Sequence, residues 1–156
     1  MSSGNIAMSK LHFERKAMPV FPEHRPLYKI CQILLILDLC SAGNKSSLIR
    51  LHLFNWALKD SKRMEMLILS AKTKIISFGV WGMDPALNMA LNMAVAEGLI
   101  NKTLTGYELS VKGKDFIRQG DIKNLFSVDC QSLNLIGKKI TEKMVKDVAN
   151  RWKNEI

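Results

Sequence analysis

A mainly α fold with one small β wing is what this sequence of 156 residues predicts. Three observations predict it. Asp84-Pro85 and the run Ala86 to Glu97 have the form of a capped helix. A carboxylate stands at the N-cap, proline sits at the first helical position, where a missing N–H costs nothing, and Val95 is the one β-branched residue that follows. Gly98 then supplies a residue suited to a left-handed stop. Finally Leu99-Ile100, a polar turn from Asn101 to Gly106, and Tyr107 to Val111 read as two short strands joined by a turn. Helix, glycine, short strand, polar turn, short strand is the order of a winged helix-turn-helix.

The remaining elements follow in chain order. Residues 1–26 hold three of the four prolines (Pro19, Pro22, Pro26) and no sustained periodicity, the pattern of an extended arm. Its apolar points are Phe13, Met18, Val20 and Phe21; it either trails free or lies on a partner. Pro26 opens a first helix, about Leu27 to Cys40, with Leu27, Ile30, Leu34 and Leu37 on one stripe. Ile33 and Ile36 leave little of its surface polar, so it is expected to be buried on several sides, in a core or between subunits. Ser41 to Asn44 breaks it. A second helix runs from Ser46 or Ser47 to about Lys59, with Trp56 on its flank, and a third from Lys62 to Ala71. From Lys74 to Trp81 the residues turn branched and aromatic, which predicts an extra strand pairing with the wing. Lys112 to Leu125 reads as a helix interrupted at Gly120, and Phe126 to Gly137 as a loop. In a last helix, about Thr141 to Lys153, Ile140, Met144, Val148 and Trp152 fall four apart on one face, opposite Lys139, Lys143, Lys146 and Arg151. The expected division is an arm over 1–26, a winged-helix domain over 27–120 and a C-terminal helical extension over 121–156.

The apolar share of 47% is ample for a core, and 24% charged residues is ordinary for a globular chain. A net charge of +9 invites a nucleic-acid reading, but the cations are spread out. The excess is +2 over residues 1–26, +3 over 27–110 and +4 over 111–156. Three cysteines (Cys31, Cys40, Cys130) without CxxC spacing, and three unclustered histidines, argue against zinc. No signal-peptide pattern and no apolar run of spanning length occur, so a cytoplasmic protein with reduced thiols is expected.

Catalytic patterns are sparse. Gly43-Asn44-Lys45-Ser46 echoes the end of a phosphate-binding loop, yet the upstream glycine is missing and a helix precedes it where a strand is required. The acids stand singly, and no spacing gathers a metal or sets up an acid–base pair. His52, among core-like residues, reads as a satisfied polar group. No catalytic residue, cofactor or metal is therefore expected.

A helix that reads the DNA major groove carries cations and amides at its exposed N-terminal positions. From Ile75 to Asn101 this chain has no Lys or Arg; Asp84 and Glu97 are its only charges. Asn88 and Asn92 could touch adenine, but the phosphate attraction that dominates affinity is missing there. Met89 and Met93 occupy the face opposite the apolar stripe. They belong either to a core or to a soft protein-binding surface.

Leu51 to Leu58 (LHLFNWAL), Asp84 to Asn88 (DPALN), Glu97 to Ile100 (EGLI) and Tyr107 to Ser110 with Gly113 resemble the middle component of bacterial three-component ABC systems, the Lamassu-type defence modules. The resemblance covers roughly Arg25 to Phe116. It implies a small non-catalytic winged-helix subunit, similar to the accessory subunits of SMC complexes, between an SMC-like or Rad50-like ABC ATPase and a nuclease-type effector, acting against phage or plasmids. It carries over no catalytic residue.

On this reading the partner-binding residues are Phe13, Val20, Phe21, Ile33, Ile36, Met89, Met93 and Trp152. DNA contact is expected to be weak or indirect, through Lys102, Lys112, Lys114, Lys139, Lys143 and Lys146. The alternatives are a winged-helix transcription regulator using the wing or last-helix lysines, and a membrane or chromatin adaptor acting through the last helix.

Overall fold

The structure, a computed structural model, describes residues 25–79 and 81–155. Among them the chain is mainly helical, with eight α-helices and a three-stranded antiparallel sheet. Phe13, Val20 and Phe21 lie outside the described residues.

Helix α1 (Pro26–Cys40) is the axis of the molecule. Every residue from Lys29 to Leu37 is buried, because neighbouring helices cover it on all sides. Ile33 and Ile36 are 0% and 1% exposed, so both belong to the chain's own core and offer nothing to a partner. The helix stops at a short 3-10 turn, Ala42–Asn44, where Gly43 and Asn44 take left-handed φ values of 65° and 59°. Asn44 tolerates that conformation, and its amide donates to the Leu37 carbonyl at 3.1 Å.

The turn delivers β1 (Lys45–Ser46), followed by α2 (Leu48–Leu58) with Ser47 as N-cap, its hydroxyl accepting from Arg50 N. Next come α3 (Ser61–Thr73), capped by Asp60, and α4 (Pro85–Ala96), capped by Asp84. Strands β2 (Ile100–Lys102) and β3 (Tyr107–Leu109) form the hairpin. The sheet order is β1-β3-β2, with Ser46 opposite Tyr107 and Ile100 opposite Leu109.

The third strand is thus Lys45–Ser46; the expected strand from Lys74 to Trp81 is absent among its described residues. Branched and aromatic residues there anchor a loop instead of a ladder. Ile76 and Trp81 are buried while Ile75 is exposed, and the Trp81 indole donates to the Ile49 carbonyl at 3.2 Å.

Helices α5 (Val111–Gln119) and α6 (Ile122–Leu125) flank Gly120. The stretch expected as a loop is helix α7 (Ser127–Ile136), held by Cys130, Leu133 and Ile136 at three-residue spacing against α1. Helix α8 (Glu142–Glu155) packs on α2. Ile122, Leu133, Ile136, Ile140, Val145 and Val148 join the same core as α1, so packing runs across residue 120 without a break.

Candidate functional site

The N-terminus of α4 meets α1 and α2 in a polar network that runs from the buried Lys29, His52 and Asn55 out to the exposed Lys59. Asp84 is its centre. One carboxylate oxygen, Oδ1, accepts from Ala86 N at 3.0 Å, which caps the helix. The other, Oδ2, accepts from the Asn55 amide at 3.0 Å and lies 2.9 Å from Lys59 Nζ and 3.5 Å from Lys29 Nζ. Lys29 is buried and also donates to Asn55 Oδ1 at 2.9 Å. Burial by itself pushes the Asp84 carboxyl up; Lys59, Asn55, the Ala86 N–H and Lys29 together outweigh it and hold the group well below the usual carboxylate range. His52, fully buried on α2, accepts from Asp84 N and pairs with Asn88 Oδ1 at 3.0 Å. Two sequence motifs some thirty residues apart therefore close on one another through their own side chains. A small cavity of about 170 Å³ opens beside them, lined by Asn55, Trp56, Lys59, Met83, Asp84 and Pro85 among others.

The outward face of α4 has no such partners. Leu87, Ala90, Leu91 and Ala94 turn inward, leaving Met89 at 59% and Met93 at 42% exposure. Met83, just before the cap, and Ile75 are exposed as well. No cation lies on the helix, and Asn88 is engaged by His52, which leaves Asn92 as its one amide without that tie.

Trp152 lies elsewhere. Half-buried, it meets the buried Trp81 edge-on at 4.5 Å between ring centroids, and next to it Arg151 donates to the Ile76 carbonyl at 2.9 Å. Its ring therefore seats α8 on the loop ahead of α4. The six lysines are all exposed. Lys112 donates to the Glu97 carbonyl at 2.7 Å, Lys143 pairs with Asp147 at 3.0 Å, and Lys146 lines a groove between α8 and the β2–β3 hairpin.

Two buried cations escape a reading of periodicity alone. Lys29 and Arg50 each interrupt an apolar run, and that placement is the available signal. Arg50 donates to the Ile140 carbonyl at 2.8 Å, to Ser41 Oγ at 2.9 Å, to Ser46 Oγ at 3.3 Å and to the Cys40 carbonyl. Burial pushes the Cys31 and Cys40 thiols up to about 12. Among the described residues no three His, Cys, Asp or Glu side chains gather in a metal-holding arrangement, and no helix is long and apolar enough to cross a membrane. No family model, curated protein or solved structure matches the chain.

Proposed function

We propose that this chain is a non-catalytic accessory subunit of a bacterial SMC-like or Rad50-like ABC ATPase defence complex, bridging the ATPase to a nuclease-type effector. The order helix, strand, helix, helix, strand, strand with sheet order β1-β3-β2 fits a winged helix, with α3 inserted ahead of α4. In that frame α4 is the helix that would enter a DNA groove. The observation that carries the proposal is its outer face: Met89 and Met93 stand in solvent on a helix without a single cation. Flexible thioethers suit an adaptable protein contact, and a charge-free helix lacks the pull on phosphates.

Co-expression with the neighbouring gene products tests it. The Met89→Glu, Met93→Glu double variant is expected to fold and to lose its partners on purification, because two carboxylates would enter a desolvated contact. Normal assembly by that variant would move the contact off α4. A sequence-specific duplex footprint abolished by Asn92→Ala would favour a transcription regulator instead.

A further inference from the structure

The groove between the wing and α8 has the chemistry that α4 lacks. Its volume is about 690 Å³, and it runs from β1 and the start of α2, past the wing residues Thr103 and Thr105, to the 138–150 segment. Lys45, Arg50, Lys138 and Lys146 line it, against the single carboxylate of Glu142. That carboxylate is turned onto α2, one oxygen accepting from Ser47 N at 2.9 Å and the other from Ser47 Oγ at 2.6 Å. Arg50 spends its donors inward on Ile140, Ser41, Ser46 and Cys40. Lys45, Lys138 and Lys146 are exposed and form no ion pair among the described residues.

We infer that this groove holds the phosphodiester backbone of duplex DNA, independently of any protein partner. Three ammonium groups free of carboxylates, with Thr103, Thr105 and Thr141 in the same lining, match phosphate oxygens in charge and in donor type. The lining includes no aromatic ring, so a single strand would find no surface on which to stack its bases. It also offers no free guanidinium, the commonest reader of guanine, so the contact is indifferent to sequence. The Met face of α4 is left for other work.

Fluorescence anisotropy with a labelled duplex, using the full chain at several salt concentrations, tests this. The wild type is expected to bind, and Lys45→Gln, Lys138→Gln, Lys146→Gln to weaken binding at least about tenfold while lowering the slope of log K against log salt by about 2 to 3. The control, Lys62→Gln, Lys72→Gln, Lys74→Gln, removes the same charge from α3 and its C-terminal end and should leave both nearly unchanged. Circular dichroism checks that the variants fold; the substituted side chains are exposed. Equal losses in the two variants would reduce the binding to net charge and overturn the site. Tighter binding of single-stranded DNA or of RNA than of the duplex would overturn the ligand, and no binding by the wild type at low salt would overturn the inference outright.

Discussion

His52 Nδ1 accepts a hydrogen bond from the backbone N–H of Asp84 at 3.1 Å. That bond decides the tautomer, since an accepting Nδ1 leaves the proton on Nε2, which donates to Asn88 Oδ1. One neutral imidazole thereby spans the first turn of α4, from its cap to its fourth residue. A second proton on the ring would set two N–H groups against each other at Nδ1.

Stability should therefore fall on mild acidification. Burial lowers the His52 pKa and is offset only in part by Asn88 and Asp84, with Lys59 adding to the decrease. The unfolded chain takes up a proton near pH 6.5, the folded one at lower pH. The contribution is constant above about pH 7 and is lost as pH falls from about 6.5 toward the folded pKa. Urea midpoints at pH 7.5 and 5.5 measure it, and His52→Gln is expected to flatten the difference. An unchanged wild-type midpoint would mean that the ring accommodates the second proton.

Asp84→Ala removes both the cap of α4 and a counter-ion of the buried Lys29. Loss of a cap costs about 1 kcal/mol, and the weakened buried pair brings the expected total to about 2–4 kcal/mol in chemical denaturation. Adding Lys29→Met should recover part of it, because the desolvated charge goes too. Asp84 titrates below the ordinary carboxylate range, so its share of stability is present above about pH 4 and lost in stronger acid. A double variant no more stable than Asp84→Ala would leave the cap as the whole effect.

Much of this frame was legible in the chain. Asp84-Pro85 and Gly98 are local signals whose physics needs no tertiary partner, and α4 with its hairpin lies where they put it. The strand at Lys45–Ser46 was not legible, because two polar residues carry no periodicity and only Glu108 and Tyr107 make them a strand. Helix α7 was hidden for a different reason. Its exposed Val128 and Leu135 blur the apolar stripe of Cys130, Leu133 and Ile136. The network about Asp84 was half visible, in that His52 reads as a satisfied polar group, but the depth of Lys29 and Arg50 depends on partners far along the chain.

Gly113 shows how tertiary contact reverses a local rule. A Gly→Ala change inside a helix ordinarily gains up to about 1 kcal/mol. Here a Cβ would overlap the Leu99 carbonyl and lie 2.7 Å from Leu109 Cδ1, both on the hairpin. Gly113→Ala should instead destabilise by about 1–3 kcal/mol, read from urea unfolding. Gly106→Ala should act likewise, since its Cβ would overlap the Ser46 carbonyl across the β1–β3 pair. A stabilised Gly113→Ala would show that the hairpin moves away at little cost.

Arg50 gives the sharpest test of what holds β1, α1 and α8 together. Its guanidinium reaches the Cys40 carbonyl at the end of α1, the hydroxyls of Ser41 and Ser46 on either side of the turn, and the Ile140 carbonyl ahead of α8. It also lies over the Phe54 ring at 4.8 Å. Burial lowers its pKa, opposed by Glu142 and Cys40, but an arginine stays charged at neutral pH. Arg50→Lys keeps the charge and loses the fork, so one ammonium cannot face acceptors spread along the guanidinium edge. We expect Arg50→Lys to cost about 2 kcal/mol and Arg50→Met about 3 or more, since buried acceptors would be left without donors. Urea unfolding gives the size, and hydrogen exchange gives the place: amides of 44–47 and of the start of α8 should lose protection before those of α1. Should Arg50→Met match the wild type, desolvation of the cation has cancelled its hydrogen bonds, and the junction is held by Ile140 and Val145 packing alone.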